Sequence, residues 1–312
     1  MGERNVTTPF LSVYGHITVD HIMSVDEFPP NSVSVDVLSK DIFLGGTGTN
    51  IAVVASSLGV PTALCGFVGT DFPEELMNFI TSKGVITDDL VVRNDYCTAQ
   101  AMIVNDSKKE QRVFFYQGPQ GSASKLNNVL KNCASVSRYV HFSTGDPDYY
   151  IDIMRQIKNG DRKIVFDPAQ EIHRIWDRER FMTALELSDI IFFNKYEAVS
   201  ALKYTGASSL SQISEKMTVC TEGADGSAMY QNGRLTKIPA VKALRTKDNT
   251  GAGDAYRAGF YAGKYYGHND TESLILGAAT ASFVVEESGA LTNIPTWDMV
   301  TERASGYLEE RR

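Results

Sequence analysis

Short apolar runs alternate with longer amphipathic stretches along most of the chain, and this alternation predicts strands separated by helices. The predicted strands are residues 10–14, 62–68, 138–143, 163–167 and 189–194. The predicted helices are residues 49–58, 74–82, 149–159, 178–188, 195–205, 250–265, 271–286 and 297–308. Strands that alternate with helices of about ten residues are typical of a parallel sheet covered on both faces. We therefore expect an α/β fold with a mostly parallel central sheet.

Two segments depart from this rhythm, because residues 33–43 and 99–115 alternate apolar with polar positions. A charged stretch at 106–110 lies inside the second segment and is suited to a turn. Such alternation predicts antiparallel strands with one face toward solvent, outside the main sheet. We expect a small β lid made from about residues 15–43 and 97–118, within a single domain that spans residues 1–312.

The composition is that of a globular protein with an acidic balance. The chain has 312 residues, of which 43% are hydrophobic, and this is enough to bury a large core. Its formal net charge of −8 argues against nucleic acid or a membrane surface as a partner, since both call for clustered Lys and Arg. Any phosphate that the protein binds must be held by local dipoles and a few cations.

The four cysteines, Cys65, Cys97, Cys133 and Cys220, are far apart and include no C-x-x-C pair. They indicate neither a zinc site nor a disulfide framework, and free thiols are suited to a reducing compartment. No apolar run approaches about 18 residues, and the N-terminal stretch lacks the apolar core of a signal peptide. We therefore expect a cytoplasmic protein that neither binds nor crosses a membrane.

The stretch TKDNTGAGDAYRAGF (246–260) carries a dense glycine motif before a helix-like run. A Walker loop has Lys where this chain has Asp254, and a dinucleotide fingerprint has a third glycine where it has Tyr256. Gly251 and Gly253 nevertheless allow backbone amides to point at an anion beside the positive end of a helix dipole. Asp254 at such an anion site is either a helix N-cap or a catalytic group, and this stretch alone leaves both open.

Two further glycine-rich segments are ambiguous when each is taken singly. In GGTGTNIAVVASSLG (45–59), Asn50 opens a predicted helix, which is typical of a strand-to-helix turn with an Asn cap. In CTEGADGSAMY (220–230), Gly223 and Gly226 lie between two strand-like runs and indicate a hairpin turn.

The segment FFNKYEAVSAL (192–202) places Asn194 and Glu197 three residues apart on one face of a helix start. An amide and a carboxylate so placed can hold water around Mg²⁺, which prefers oxygen ligands. A helix cap with Glu in the first turn explains the same pair without a metal.

Taken together and in this order, these segments resemble the ribokinase-like (pfkB) carbohydrate and nucleoside kinases. The family's first signature, its N-x-x-E motif, its T-x-G-x-x-G segment and its D-T-x-G-A-G-D signature are matched at 45–59, 194–197, 221–226 and 248–254. Asp20, in GHITVD, falls where the family has a substrate-binding aspartate, and the likeness extends over about residues 11–297. The departure is Asn249, where the family usually has Thr, another small residue or Pro.

Several longer stretches look most like the archaeal nucleoside kinases of this family. They are HFSTGDPDYY (141–150), FDPAQE (166–171), GAGDAYRAGF (251–260) and GAATASFVVEESGALTNIPTW (277–297). The resemblance implies a three-layer α/β/α fold with a β lid, and transfer of the γ-phosphoryl group of ATP to the 5′-hydroxyl of a nucleoside. It also implies a broad base range, such as inosine, guanosine, cytidine and adenosine.

The resemblance further implies roles for individual residues. Asp254 would be the catalytic base, and the backbone of Gly251, Ala252 and Gly253 would stabilise the transferring phosphoryl group. The implied nucleoside-binding residues are Asp20, Gly46, Asn50, His16 and Gln170. The implied ATP-binding residues are Asn194, Thr221, Gly223, Gly226 and Asn249. Asn194 and Glu197 would organise Mg²⁺ through water, and Asp248 with Thr250 could hold K⁺ or another monovalent cation.

The sequence leaves other roles open. Arg257, three residues after Asp254, either touches a phosphate or pairs with Asp254 or another acid. Further candidates for the substrate cleft, with core or lid packing as the alternative, are Gln120, His141, Phe43 and Tyr116.

Partners and rival functions also stay open at this stage. The family's lids often pair, which implies a possible homodimer. A sugar or phosphosugar kinase of the same fold is an alternative, and basic residues near the lid that a phosphosugar could use are Lys108, Lys109 and Arg112. A non-catalytic nucleotide-binding regulator is a second alternative, although binding alone does not call for a base at Asp254.

Overall fold

The computed structural model describes residues 8–158 and 160–309. In chain order, its strands are β1 (Leu11–Tyr14), β2 (Thr18–Val25), β3 (Val37–Gly45), β4 (Thr62–Gly69), β5 (Leu90–Arg93), β6 (Ala99–Asn105), β7 (Gln111–Tyr116), β8 (Tyr139–Phe142), β9 (Lys163–Phe166), β10 (Ile190–Asn194), β11 (Met217–Thr221), β12 (Ser227–Gln231) and β13 (Arg234–Ile238). Its helices are α1 (Thr47–Ser57), α2 (Glu74–Ser82), α3 (Pro147–Ile157), α4 (Arg178–Leu187), α5 (Lys195–Thr205), α6 (Ala252–Tyr265), α7 (Asp270–Val284) and α8 (Trp297–Glu309). None of the helices in this part of the chain combines the length and apolar character needed to span a membrane.

Nine strands form the central sheet, in the order β13-β12-β11-β10-β9-β8-β1-β4-β5. All strands from β11 to β5 in this order run parallel, whereas β11, β12 and β13 form antiparallel hairpins. Strands β1, β4 and β8 are buried throughout, as expected where helices cover both faces of a parallel sheet. The predicted α/β fold with a mostly parallel sheet is confirmed, and Gly223 and Gly226 lie in the predicted turn between β11 and β12.

Helices cover the two faces of this sheet, and neighbouring residues of β1 show the separation. Val13 belongs to an apolar cluster with residues of α1, α6, α7 and α8 on one face. Tyr14 belongs to a second cluster, with residues of α3, α4 and α5, on the other. Successive side chains of a strand point to opposite faces, so each central strand contributes to both clusters. The result is the expected three-layer α/β/α arrangement.

The parallel strands bring several chain segments together at one edge of the sheet. Asp167 directly follows β9, Asn194 ends β10 and Thr221 ends β11. The loop after β1 packs closely on α1, because a Cβ atom at Gly15 would lie 2.6 Å from the Cα atom of Gly48. In open α/β sheets the carboxyl ends of the strands are where ligands bind.

The lid is a four-stranded sheet with the order β3-β2-β6-β7. The antiparallel prediction holds for β6 with β7, but β3 pairs with β2 rather than with the second segment, and β2 runs parallel to β6. Strand β3 also begins at Val37, not at residue 33. The periodicity missed β2, since apolar and polar residues mix on both of its half-buried faces. The lid is therefore a mixed sheet rather than an antiparallel one.

Two helices at this edge of the sheet have glycines as their N-caps, and not the polar residues that the sequence suggested. Gly46, with φ 92°, is the N-cap of α1, so the prediction that Asn50 caps this helix is wrong. Gly251, with φ 75°, is the N-cap of α6, so the helix begins at Ala252 rather than at 250. The predicted helix at 149–159 ends at Ile157, and its last residue lies outside the described residues.

We expect Gly251→Ala to destabilise the fold more than Gly206→Ala. Gly206 caps the end of α5 with the same φ of 75°. A Cβ atom at Gly251 would lie 2.3 Å from the Cβ of Ala290, whereas one at Gly206 would have nothing within 4 Å. Positive φ alone costs about 1–2 kcal/mol for a residue with a Cβ. Urea unfolding of both variants measures the difference, and equal losses would show that Gly251 has no close-packing role.

Candidate active site

The glycine motif at 248–254 builds the start of α6. Gly251 adopts the left-handed conformation, and the amides of the first helical turn then point out of the helix end. The amide of Ala252 is used within this turn, since it donates to the carbonyl of Asn249 at 3.2 Å. The predicted anion site therefore rests on the amides that follow, at Gly253 and Asp254, and on the positive end of the helix dipole.

Asp254 is the third residue of α6 and not its cap. Because Gly251 is the N-cap and no side chain caps this helix, the cap interpretation of Asp254 is wrong. Its carboxylate instead accepts a hydrogen bond from the side-chain amide of Asn50 at 2.8 Å. This bond joins two signatures that are 204 residues apart in the sequence.

The surroundings of Asp254 make it a stronger base than a free aspartate. Burial raises its pKa to about 7, although the hydrogen bond from Asn50 and the positive charge of Arg257 act in the opposite direction. A carboxylate whose pKa lies near neutrality can accept a proton efficiently at physiological pH. The geometry and the pKa both suit a general base.

Asp20 and the glycine pair at 45–46 form a second part of the site. The Asp20 carboxylate lies over Gly45, where an added Cβ atom would be 2.0 Å from Oδ2. It accepts a hydrogen bond from the Thr18 hydroxyl at 2.7 Å. Burial raises the pKa of Asp20, and this hydrogen bond opposes the rise. At Gly46 a Cβ atom would be 2.2 Å from the carbonyl oxygen of His16, so the loop after β1 lies directly against this turn.

His16 and Gln170 differ in how the structure places them. His16 is buried, and its ring packs edge to face with the ring of Phe115, a lid residue, at 5.2 Å between the ring centroids. Burial lowers its pKa, with the charge of Glu171 opposing, so the ring is neutral at physiological pH. Gln170 is exposed on the short 3₁₀ segment Ala169–His173 and is not brought into the buried part of the site.

Glu171 is a residue of this region that sequence reasoning missed. It is buried, and it accepts hydrogen bonds from the side chain of Gln117, from the amide of Gly145 and from Arg174. Gln117 directly follows the last lid strand, so this carboxylate ties the lid to the core. Its sequence signals are a position beside Gln170 and the end of the stretch FDPAQE, but a single Glu in a loop usually faces water.

A cavity of about 790 Å³ lies on the other side of the anion site. Four of the predicted ATP-binding residues line it, together with the anion-site residues: Thr221, Gly223, Gly226, Asn249, Ala252 and Gly253. Its apolar wall comes from small residues that sequence reasoning missed, because they look like ordinary core positions: Val241, Ala278, Ala281 and Val285. The volume is in the range of small-molecule sites, and the glycines leave the backbone accessible.

Asn194 and Glu197 form a capping box at the start of α5. Asn194 Oδ1 accepts from the amide of Glu197 at 2.9 Å, and Glu197 Oε2 accepts from the amide of Asn194 at 2.7 Å. The helix-cap interpretation therefore holds. Burial, and next the charge of Asp167, raise the pKa of Glu197 to about 7. Carboxylate and amide oxygens of this kind fit a hydrated Mg²⁺, so the predicted metal role stays compatible with the cap.

Asp248 connects two loops beside the anion site. One carboxylate oxygen accepts from the amide and hydroxyl of Thr250 at 2.9 and 2.7 Å, and the other accepts from the amide of Gly289 at 2.9 Å. Partial burial disfavours its charge, but these hydrogen bonds outweigh burial and lower its pKa. Asp248 is therefore an ionised link between the two loops.

The remaining candidates have structural contacts. Arg257 is buried and pairs with Asp167, so the ion-pair interpretation holds, with a partner other than Asp254. Gln120 is buried and bonded to Tyr150 and to the amide of Phe67. His141 is also buried, while Phe43 and Tyr116 are exposed on the lid.

Comparisons with known proteins agree on one family. A sequence model described as "pfkB family carbohydrate kinase" matches residues 8–297. The chain is 32% identical to a nucleoside kinase of Methanocaldococcus jannaschii over 97% of both chains. It is 31% identical to one of Methanothermobacter thermautotrophicus, over 91% of this chain and 92% of the relative. The crystal structure of the M. jannaschii nucleoside kinase, described as a member of the ribokinase family, superposes with a TM-score of 0.87 at 31% identity, covering 95% of this chain and 98% of that one.

Proposed function

This chain belongs to the pfkB family of carbohydrate kinases, and from that membership we propose that it is a nucleoside kinase. It transfers the γ-phosphoryl group of ATP to the 5′-hydroxyl of a nucleoside. The observation that carries this proposal is the hydrogen bond between Asn50 and Asp254. Asn50 follows the glycine turn over which Asp20 lies, and Asp254 follows the glycine turn of the proposed anion site. In this proposal Asp254 is the base, between the acceptor region and the cavity of about 790 Å³ that takes the nucleotide. The similarity to two archaeal nucleoside kinases supports the acceptor class.

Asp254 takes the proton of the acceptor hydroxyl as that oxygen bonds to the γ-phosphorus of ATP. The bond between the γ-phosphorus and the β–γ bridging oxygen breaks at the same centre, and ADP leaves with that oxygen. The amides of Gly253 and Asp254 and the helix dipole stabilise the charge on the transferring group. The carboxylate faces the nucleophile while the amides face the phosphate, which explains an acid at an anion site. General-base help of this kind contributes about 10²–10⁴-fold to the rate.

The acceptor region is built for a ribose with a loosely recognised base. The carboxylate of Asp20 and the amide of Asn50 bind vicinal hydroxyls in a fixed orientation, with the Gly46 turn beneath them. His16 is neutral and packs against the lid, so it adds contact area without a charge. We infer a broad base range that includes inosine, guanosine, cytidine and adenosine.

The donor occupies the cavity lined by Thr221, Gly223 and Asn249. Mg²⁺, when bound with the nucleotide, neutralises phosphate charge, and Asn194 with Glu197 would hold its waters. We also propose that K⁺ binds beside the loops that Asp248 links, because an ionised carboxylate there attracts a cation.

The two rival functions lack such support. A phosphosugar would need free cations at the acceptor side, but Lys108 pairs with Glu27 and the Arg112 guanidinium lies over the Phe28 ring, 4.2 Å from its centroid. The third basic residue, Lys109, is exposed in the turn between β6 and β7. A regulator that only binds nucleotide does not need a base whose pKa is raised to about 7.

The proposal is tested by phosphotransfer from ATP with Mg²⁺ to inosine, guanosine, cytidine, adenosine, ribose and fructose 6-phosphate, each with Na⁺ or K⁺. We expect turnover with several nucleosides, and higher turnover with K⁺ than with Na⁺. Preference for ribose or fructose 6-phosphate would identify a sugar kinase. ATP binding without turnover on any acceptor would identify a regulator.

We expect kcat/KM for the nucleoside to fall below pH 7, because protonation of Asp254 removes the base. With this raised pKa, the carboxylate is ionised above pH 7. Well below pH 7 the ionised fraction, and kcat/KM with it, falls about tenfold for each pH unit, which gives the profile an acid limb. Asp254→Asn should lose at least about 10²-fold in kcat and lose this acid limb. The pKa of Glu197 is also about 7, so Glu197→Gln is the control. If the limb disappears in Glu197→Gln and persists in Asp254→Asn, the base has been misassigned.

We also propose a homodimer through the lid. Lid residues that lie opposite one another in register, and form the face turned away from Asp20 and Phe43, are His21, Ile42, Met102 and Phe114. Several large side chains of this face are exposed, including those of Ile42 and Phe114. An exposed apolar sheet face of this size is suited to pairing with a second copy.

Phe114→Lys should therefore convert a dimer into a monomer, as measured by light scattering across a concentration series. The matched control is Val199→Lys on α5, since Val199 is 67% exposed and Phe114 58% exposed. A wild-type protein that is monomeric at all concentrations, or a Phe114→Lys variant that stays dimeric, would refute the proposed interface.

A further inference from the structure

A buried ion pair lies directly beneath the candidate active site. Arg257 is one turn along α6 from Gly253, and Asp167 follows strand β9, 90 residues earlier. The side chains of Arg257 and Asp167 are only 6% and 3% exposed. Neither residue contacts the proposed reacting groups, so the mechanism above gives this pair no task.

The Arg257 guanidinium makes contacts in two directions. Toward the sheet, Nε donates to Asp167 Oδ2 at 2.6 Å and Nη2 donates to Oδ1 at 3.3 Å, a two-pronged arrangement. Toward the active site, Nη1 donates to the carbonyl oxygen of Gly253 at 3.2 Å. One planar cation therefore fixes the first turn of α6 to the end of a central strand.

Asp167 is itself held in place by the core. Its backbone amide donates to the carbonyl of Phe142 at 2.8 Å. The His141 ring lies 3.6 Å from Asp167 Oδ2, and its other nitrogen bonds the Tyr261 hydroxyl at 2.7 Å. Tyr261 is one turn beyond Arg257, so α6 meets this part of the sheet at two successive turns.

Stability alone is a weak reason for such a pair. Removing two charges from water is costly, and apolar replacements of buried ion pairs are often neutral or stabilising. The helix is also packed by apolar residues on the same side of the sheet, among them Ala258 and Phe260. A planar guanidinium also fixes the orientation of its partners, and here the Arg257 guanidinium donates to the carbonyl of Gly253 in the proposed anion site.

We propose that Arg257 and Asp167 are positioning residues that set the first turn of α6, so that the Gly253 amide and the Asp254 carboxylate face the reacting groups. This inference rests on the proposed kinase function. The local charges support the inference as well. The positive charge of Arg257 lowers the pKa of Asp254, and the negative charge of Asp167 raises it. Glu197 is a further acid in this group, since the charge of Asp254 raises its pKa.

The test compares Arg257→Lys, Arg257→Met and Asp167→Asn with wild type, using inosine and ATP with Mg²⁺. Lysine keeps the charge but lacks the planar fork, so Arg257→Lys separates orientation from charge. We expect kcat to fall about 10- to 100-fold in all three, as misplaced catalytic groups do. KM for both substrates should change by less than about threefold, since ground-state binding is untouched.

The pH profile provides a readout that a purely structural role would not change. Loss of the cation in Arg257→Met should move the acid limb of kcat/KM to higher pH, and loss of the acid in Asp167→Asn should move it to lower pH. The control is Lys264→Met at the far end of the same helix, where Lys264 pairs with Asp270 at 2.9 Å. This variant should keep the wild-type kcat and the wild-type acid limb of kcat/KM.

Hydrogen exchange at the amide of Ala255, which donates to the carbonyl of Gly251 at 2.8 Å and so closes the first turn of α6, gives a second measurement that does not need activity. We expect faster exchange there in the Arg257 and Asp167 variants, with the rest of α6 unchanged. Folded variants with wild-type kcat and wild-type exchange would overturn the inference. If the wild type phosphorylates no acceptor, the proposed function fails, and the exchange measurement alone decides whether the pair orders this turn.

Discussion

The hydrogen bond between Asn50 and Asp254 is the constraint on which the arrangement of the site depends. It joins the starts of α1 and α6, two helices that pack in one apolar cluster on the same face of the sheet. Both helices begin at glycines with positive φ, and these turns aim their first residues toward the same space. Without that meeting, the acceptor side and the phosphate side of the site would be separate features of a large sheet.

The proposed anion site uses backbone amides and a helix dipole rather than a cluster of cations. The basic residues that line the neighbouring cavity are Lys242 and Arg245, and Arg245 pairs with Glu287. Backbone amides and a helix dipole have no net charge, so they need no neighbouring anion when the site is empty. The buried Arg257 is already committed to Asp167, so its charge serves the protein's own acids. The shortage of nearby positive charge also suits Asp254 to the proposed role of a base. Burial raises its pKa to about 7, and the hydrogen bond from Asn50 and the charge of Arg257 offset burial only in part.

Much of this architecture follows from local sequence. The strand and helix alternation predicted the sheet, and the glycine spacing predicted the tight turn before α6, because φ and Cβ constraints act over a few residues. What the sequence could not supply is pairing across distance. The sequence predicts that Arg257 either touches a phosphate or pairs with Asp254 or another acid, but nothing near Arg257 identifies Asp167, 90 residues earlier, as its partner. Strand β2 was missed for a related reason, since both of its faces are half-buried and no alternation survives.

The unusual Asn249 shows how a departure from a family pattern can leave the backbone of a turn unchanged. Its backbone carbonyl accepts the amide of Ala252 and so closes the turn before α6. Any residue supplies that carbonyl, so the turn places no demand on the side chain. The side chain itself is exposed and lines the proposed nucleotide cavity. Variation at this position therefore changes the wall of the donor site, while the geometry of Gly251, Gly253 and Asp254 is set by the backbone that follows.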